Sequence, residues 1–97
     1  MNKEYKVIES GIEYNVKEDD EFIFWYLNGK QHREAGPATH TSNNEYREWY
    51  RFGQLHRLDG PAIISPYGGE RWFIEGKEVP CESQEEFEQY LKLKAFW

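Results

Sequence analysis

The sequence predicts a mainly β fold: an antiparallel meander of repeated β-hairpins, open or rolled, with one C-terminal α-helix. Three observations predict it. The first is a phrase that occurs twice. Trp25–Ala38 reads WYLNGKQHREAGPA and Trp49–Ala62 reads WYRFGQLHRLDGPA, identical at eight of fourteen positions with a constant offset and no slip. A third start, WFIEGKEVP over Trp72–Pro80, follows at nearly the same interval and puts Val79 and Pro80 where His and Arg stand before. Self-similarity at such a period marks a repeat architecture with atypical terminal units. The second observation is that short apolar runs recur between Gly-containing turns, as in an all-β meander. The third is a change to helical periodicity at the C-terminus.

Tyr5–Ile8 and Ile12–Val16 form the first hairpin around Ser10-Gly11, and residues 17–20 are a charged turn. Glu21–Asn28 is the first strong strand, ended by Asn28-Gly29, a pair that suits a type I′ turn because both residues tolerate positive φ. Gln31–Arg33 starts the return, and Gly36-Pro37 breaks it because proline donates nothing to a ladder. Ala38–Thr41 is a weak strand and residues 42–44 turn. Glu45–Phe52 repeats the strong strand, Leu55–Arg57 the return, Gly60-Pro61 the corner and Ala62–Ser65 the weak strand. Glu70–Glu75 is the third strong strand, turned by Gly76-Lys77. A helix is predicted over Gln84–Ala95. Ser83 with Glu86 makes a capping box, acids precede and lysines follow, and Phe87, Tyr90 and Leu91 form one stripe. This helix covers an open end or face of the sheet, and Phe96-Trp97 is expected to pack back on it. The whole is one domain over 1–97: an N-terminal hairpin (1–20), three hairpin-like units (21–80) and the helix (83–95).

Seventeen of 97 residues are aromatic, enough to furnish a core in a domain that buries only about two-thirds of its unfolded surface. The net charge of −6 argues against duplex nucleic acid, whose binding rests on phosphate neutralisation. A lone Cys81 leaves no intrachain disulfide and fits a reducing compartment. No apolar leader and no stretch of membrane-spanning length is read in the sequence, so a cytoplasmic protein is expected.

Strand parity places Ile23, Trp25 and Leu27 on one face, with Arg47, Trp49, Arg51, Trp72 and Ile74. Phe22, Phe24, Tyr26, Tyr46, Tyr50, Phe52 and Phe73 fall on the other. Two aromatic faces and one short helix leave more apolar surface than the chain covers, so a homo-oligomer is expected. The Arg47-Trp49-Arg51 stripe reads two ways: a platform that stacks a base and holds a phosphate, or arginines lying across neighbouring rings. The twice-occurring pairs His32-Arg33 and His56-Arg57 are equally double: a repeated structural fitting, or an anion site built on the arginine fork. The ligand-binding set is therefore Trp25, His32, Arg33, Arg47, Trp49, Arg51, His56 and Arg57. Catalysis is not expected. The pairs His32/Glu34 and His56/Asp59 resemble acid–base pairs, but Glu34 and Asp59 occupy non-equivalent repeat positions. A metal site would need His32, His40, His56 and Cys81 to converge at spacings that match no zinc pattern, and no cofactor is expected.

The unit W-Y-x-N-G-K-x-H-R-x-x-G-P-A, carried by 25–80, resembles a repeat of bacteriophage and large-DNA-virus proteins, a group without a settled activity. It is also distantly similar to MORN repeats, which are β-hairpin units of comparable length. A MORN unit has Gly soon after the His, where Arg33 and Arg57 stand here, so lipid binding is not carried over. The viral resemblance implies a small accessory factor that blunts a host defence in the host cytoplasm. Two modes follow from it: sequestering a phosphorylated nucleotide signal as a small anionic ligand, or acting as an inhibitor or adaptor that binds a host protein through the aromatic sheet face.

Overall fold

The strands are β1 (Lys3–Glu9), β2 (Ile12–Glu18), β3 (Phe22–Leu27), β4 (Lys30–Gln31), β5 (Thr39–Thr41), β6 (Arg47–Glu48), β7 (Tyr50–Arg51), β8 (Gln54–Leu55), β9 (Ile63–Ser65), β10 (Gly69–Ile74) and β11 (Lys77–Val79); they are followed by helix α1 (Gln84–Lys94). The structure is a computed structural model that describes residues 2–94. The expected extension of the helix to Ala95 and the packing of Phe96-Trp97 lie outside the described residues. Pairing is antiparallel in the order β1-β2-β3-β5-β6-β9-β10-β11, with β4 also on β3 and with β7-β8 as a separate ribbon. The sheet does not close into a barrel.

Four hairpins turn on residue pairs with both φ values positive: Ser10-Gly11, Asn28-Gly29, Phe52-Gly53 and Glu75-Gly76. This is the type I′ geometry whose twist matches the flanking strands. The Gly in each accepts it freely. Phe52 and Glu75 do not, since the left-handed region costs a side-chain-bearing residue about 1–2 kcal/mol. Between units the chain turns differently. Asp19 Oδ1 accepts the amides of Glu21 and Phe22 at 2.8 and 2.6 Å, and this closes the β2–β3 turn. Those two bonds hold the Asp19 carboxyl below its usual range.

Register sorts the faces. Lys17, Phe24, Thr39, Glu48, Ile63 and Arg71 stand in one row across six strands, and Glu18, Ile23, His40, Arg47, Ile64 and Glu70 in the next. Alternate rows face opposite ways. On the Trp25 face, Tyr14, Val16, Trp25 and Ala38 form one core, with Ile12, Ile23, Leu27 and Tyr50 packed against it. Trp72, Ile74, Val79 and Phe87 form a second core at the far end. There α1 does the covering expected of it, with the Phe87 ring tilted against Trp72 at 6.3 Å and Ser83 Oγ capping the Glu86 amide at 3.2 Å.

Two expectations are corrected. The second strong strand is not continuous over Glu45–Phe52: it breaks at Trp49, between β6 and β7. Trp49 donates to the Ala62 carbonyl at 2.8 Å just as Trp25 donates to that of Ala38 at 2.7 Å, but beyond Trp49 the chain pairs only in the β7-β8 ribbon, whereas β3 past Trp25 is also paired with β2. The break does not turn Tyr50 over: its hydroxyl reaches Glu48 of the Phe24 row at 3.1 Å, on the face expected of it, while the residue also packs against the Trp25 core. Both return strands end two residues early, before His32 and His56. Pro37 and Pro61 lie outside every strand, as the corners require.

The Glu75 side chain is exposed, so its backbone strain is its main contribution. Glu75→Asn, which tolerates the left-handed region, should raise stability by roughly 0.5–1 kcal/mol and the melting temperature by a few degrees. A thermal melt that is unchanged or lower refutes this account of the turn.

Candidate functional site

Each His-Arg pair sits where a hairpin ends and touches the hairpin after it. His32 and His56 donate their amides to Trp25 and Trp49 carbonyls at 3.2 and 3.0 Å, which closes their own hairpins. The next amides cross over: Arg33 donates to the Tyr50 carbonyl at 3.4 Å and Arg57 to that of Phe73 at 3.2 Å. The imidazoles follow. His32 Nδ1 accepts the Phe52 amide and His56 Nδ1 the Glu75 amide, both at 2.9 Å. Those amides belong to the strained turn residues. Beside them Gly53 and Gly76 donate to the Gln31 and Leu55 carbonyls, both at 2.8 Å. A turn is thus held by two bonds from the unit before it.

The arginines turn inward. The Arg33 guanidinium carbon lies 3.7 Å from the Trp25 ring centre, and that of Arg57 lies 3.8 Å from Trp49. Each Nη1 donates to a corner carbonyl, Pro37 at 3.1 Å and Pro61 at 3.0 Å. The corner glycines make room: a Cβ on Gly36 would sit 3.1 Å from the Arg33 guanidinium, and one on Gly60 2.8 Å from that of Arg57. Carboxylates complete the pairs differently. Glu9 of β1 takes Arg33 through two bonds of 2.9 and 2.8 Å, which hold its carboxyl below the usual range. Asp59, within the corner itself, takes Arg57 Nε at 2.9 Å.

The two corners open on one groove of about 530 Å³ that brings together His32, Arg33, Trp49, Arg51, His56 and Arg57. Six of the eight sequence-predicted residues therefore meet. Trp25 is buried in the core and Arg47 sits in the His40 row, both outside the groove lining. The Arg47-Trp49-Arg51 stripe does not form a platform. Arg47 lies 5.6 Å from the Trp49 ring, while Arg51, past the strand break, lies 5.9 Å from Phe52. The Trp25 and Trp49 faces on which a base was expected to stack each already carry an arginine of the fold.

Other contacts had no sequence signal. Buried His40 accepts the Trp25 indole Nε1–H at 3.1 Å and lies 3.0 Å from the Thr41 carbonyl through Nδ1, a pairing that fits the Nδ1–H tautomer. Glu48, in the Phe24 row, accepts the phenols of Tyr46 and Tyr50 at 2.5 and 3.1 Å. Burial first, and then Glu48, push Tyr50 up to about 12 and raise Tyr46 further. A cleft of about 480 Å³ at the turn end of the Phe24 face is lined by Phe22, Tyr46 and Tyr67 with Glu21 and Glu45. The Glu48 tether depends on register and leaves no trace in the sequence, whereas the repetition of Glu21-Phe22 as Glu45-Tyr46 is legible there. Among the described residues, no three His, Cys, Asp or Glu side chains converge as a metal site, and no helix is long and apolar enough to cross a membrane. No family model, curated protein or solved structure matches the chain.

Arg57→Ala should lower the melting temperature by several degrees, since it removes a stacked cation and a bond to Pro61, together worth about 1.5–3 kcal/mol. Arg57→Lys should recover little, because an ammonium lacks the planar fork. A melt within a degree of the parent makes the stack incidental.

His56 has its protonation disfavoured by burial first and then by Arg51, against an opposing Glu75. Its folded pKa lies below the ordinary 6.5, so its share of stability is complete above pH 6.5 and is lost as pH falls through the folded value. Protonation also ends the acceptance of the Glu75 amide. Denaturant titrations from pH 7.5 to 5 should show a steeper loss in the parent than in His56→Gln. Parallel curves refute the assignment.

Proposed function

We propose that the chain is a non-enzymatic binding module that receives a protein partner on the aromatic face of its sheet, at the turn end of that face. The observation that carries this is the cleft of Phe22, Tyr46 and Tyr67 between Glu21 and Glu45. Phe22 and Tyr46 meet edge-to-face at 5.8 Å, and Tyr67 stands 95% exposed beside them. Rigid aromatic side chains are the usual anchors of protein interfaces. Glu21-Phe22 and Glu45-Tyr46 are the same step taken in successive repeats, so the cleft presents two acid–aromatic pairs side by side. The chemistry that complements it is a Lys- or Arg-bearing segment with an apolar neighbour, at an overall charge of −6. Together with the viral resemblance, this favours an adaptor or inhibitor of a host protein. The His-carboxylate pair at the first corner argues for a structural rather than a catalytic role. His32 is 1% exposed, and its two ring nitrogens are engaged by Phe52 and Glu34.

A second reading, sequestration of a small anionic signal such as a nucleotide in the corner groove, draws on the exposed Arg51 and on His56. It ranks second because Arg33 and Arg57 already satisfy carboxylates and carbonyls, and because Glu34 and Asp59 line the same groove.

Tyr67→Ser should leave stability within about 0.5 kcal/mol, being a change at an exposed turn. Amide shifts on titration with a short Lys/Arg-aromatic peptide should map to residues 20–22, 42–46 and 65–67. They should weaken in Tyr67→Ser and vanish in Glu45→Lys. Shifts confined to residues 33–37 and 57–61 would move the function to the groove. Light scattering that gives a dimer whose contacts include the same residues would make the partner a second copy.

A further inference from the structure

The two corners share one scaffold and differ in what meets the second ring nitrogen of the histidine. In both, Nδ1 of the histidine accepts the amide of the next turn, so its proton stands on Nε2. At the first corner Glu34 takes that proton in a hydrogen bond to His32 Nε2. The residue that stands at the Glu34 position of the second corner, one repeat on, is Leu58. Among the described residues, His56 Nε2 accordingly has no hydrogen-bond partner, although the atom itself is buried. An unmet buried donor costs about 1–3 kcal/mol, comparable to the whole net worth of a hydrogen bond. Leu58, which fills the place of the missing acid, is 54% exposed and touches solvent rather than the core.

We propose that the second corner is a receptor for a carboxylate supplied from outside the chain, which binds His56 Nε2 as Glu34 binds His32 Nε2. The surroundings fit one negative charge. His56 lines the same groove as Arg51 and Arg57, and Arg51 and Lys94 both act on it as nearby positive charges, against Glu75. Asp59 is held by Arg57 and does not reach this nitrogen. A carboxylate suits the site better than a phosphate. The first corner shows that a carboxylate on a short stem satisfies this nitrogen, and a doubly charged group would meet Glu34 and Asp59 in the groove. The carboxylate can belong to an acidic side chain of a polypeptide or to a small free acid; both present the same planar acceptor. The site uses none of the residues of the aromatic cleft, so it stands or falls apart from the function proposed above.

The test follows the three histidine rings by nitrogen-edited magnetic resonance during titration with sodium acetate, and separately with a blocked tripeptide containing one glutamate, at constant ionic strength. The expected result is a saturable shift of His56 Nε2 and none at His32 or His40. Saturation by acetate and peptide alike assigns the site to free carboxylates; saturation by the peptide at a much lower concentration assigns it to an acidic segment. Leu58→Glu supplies the acid in cis. It should move His56 Nε2 to the hydrogen-bonded position of His32, raise the melting temperature, and weaken both titrations about tenfold or more, the loss of one buried hydrogen bond. No saturable shift at His56 with either probe overturns the proposal. So does an equal response in Leu58→Glu. The parent titration decides the matter even where the variant fails to fold.

Discussion

A histidine that keeps its Nδ1 lone pair for the next hairpin's turn ties each unit of this sheet to the one after it. The residues it serves, Phe52 and Glu75, hold φ values of +47 and +48°, where a side chain costs about 1–2 kcal/mol. One well-placed hydrogen bond contributes about the same. The turn and the histidine are thus energetically matched, and neither is stable in this form alone. The first repeat turn has no unit before it to lend a histidine, and there Asn28, which enters the left-handed region more readily, takes the position. The last unit has no hairpin after it. Val79 stands in the histidine's place, paired with Trp72, and is buried under α1. The order of units is written in which turns need help.

The arginine answers a second demand. Each tryptophan of the repeat needs one ring face covered where the sheet does not cover it. Arg33 and Arg57 do this in the first two units, and Phe87 of α1 does it in the third. A cation over an indole contributes up to about 2 kcal/mol when desolvated, and the stack holds only if the corner carbonyl and a carboxylate take the guanidinium's remaining donors. The glycine of the Gly-Pro corner follows from this, because a methyl group there would strike the guanidinium. Five recurring residues, Trp, His, Arg, Gly and Pro, are therefore one fitting. Their recurrence needs no ligand to explain it.

That is why the repeat read from sequence led to the architecture and away from the site. The constant offset between the two phrases placed the tryptophans, the turns and the corners correctly, since these obey local backbone chemistry. What the sequence did not show is the division of the second strong strand at Trp49, past which the chain joins the β7-β8 ribbon instead of the main sheet. No residue type announces that event. Glu9 as the partner of Arg33 was equally illegible, because it comes from a hairpin outside the repeat and replaces the acid that Asp59 supplies locally at the second corner. Ala35 at the Asp59 position was the available clue: a unit that lacks its own acid must borrow one.

In a chain of repeats, the positions that recur answer the demands of stacking, and individual chemistry is left to those that do not. Between the two corners the differing residues are Glu34 against Leu58 and Ala35 against Asp59. The second difference is made good within the fold, by Glu9. The first is not: it leaves a buried donor on His56 without a partner among the described residues. The turn-end cleft follows the same logic from the other side. Glu21-Phe22 and Glu45-Tyr46 recur although the edge-to-face ring pair they build is joined by a non-repeating, almost wholly exposed Tyr67. Packing within the chain gives no reason for a tyrosine there, since a side chain 95% exposed contributes little to stability. An outward aromatic beside an ordered aromatic floor is what the proposed contact surface requires, and acids at its rim would favour a positively charged partner.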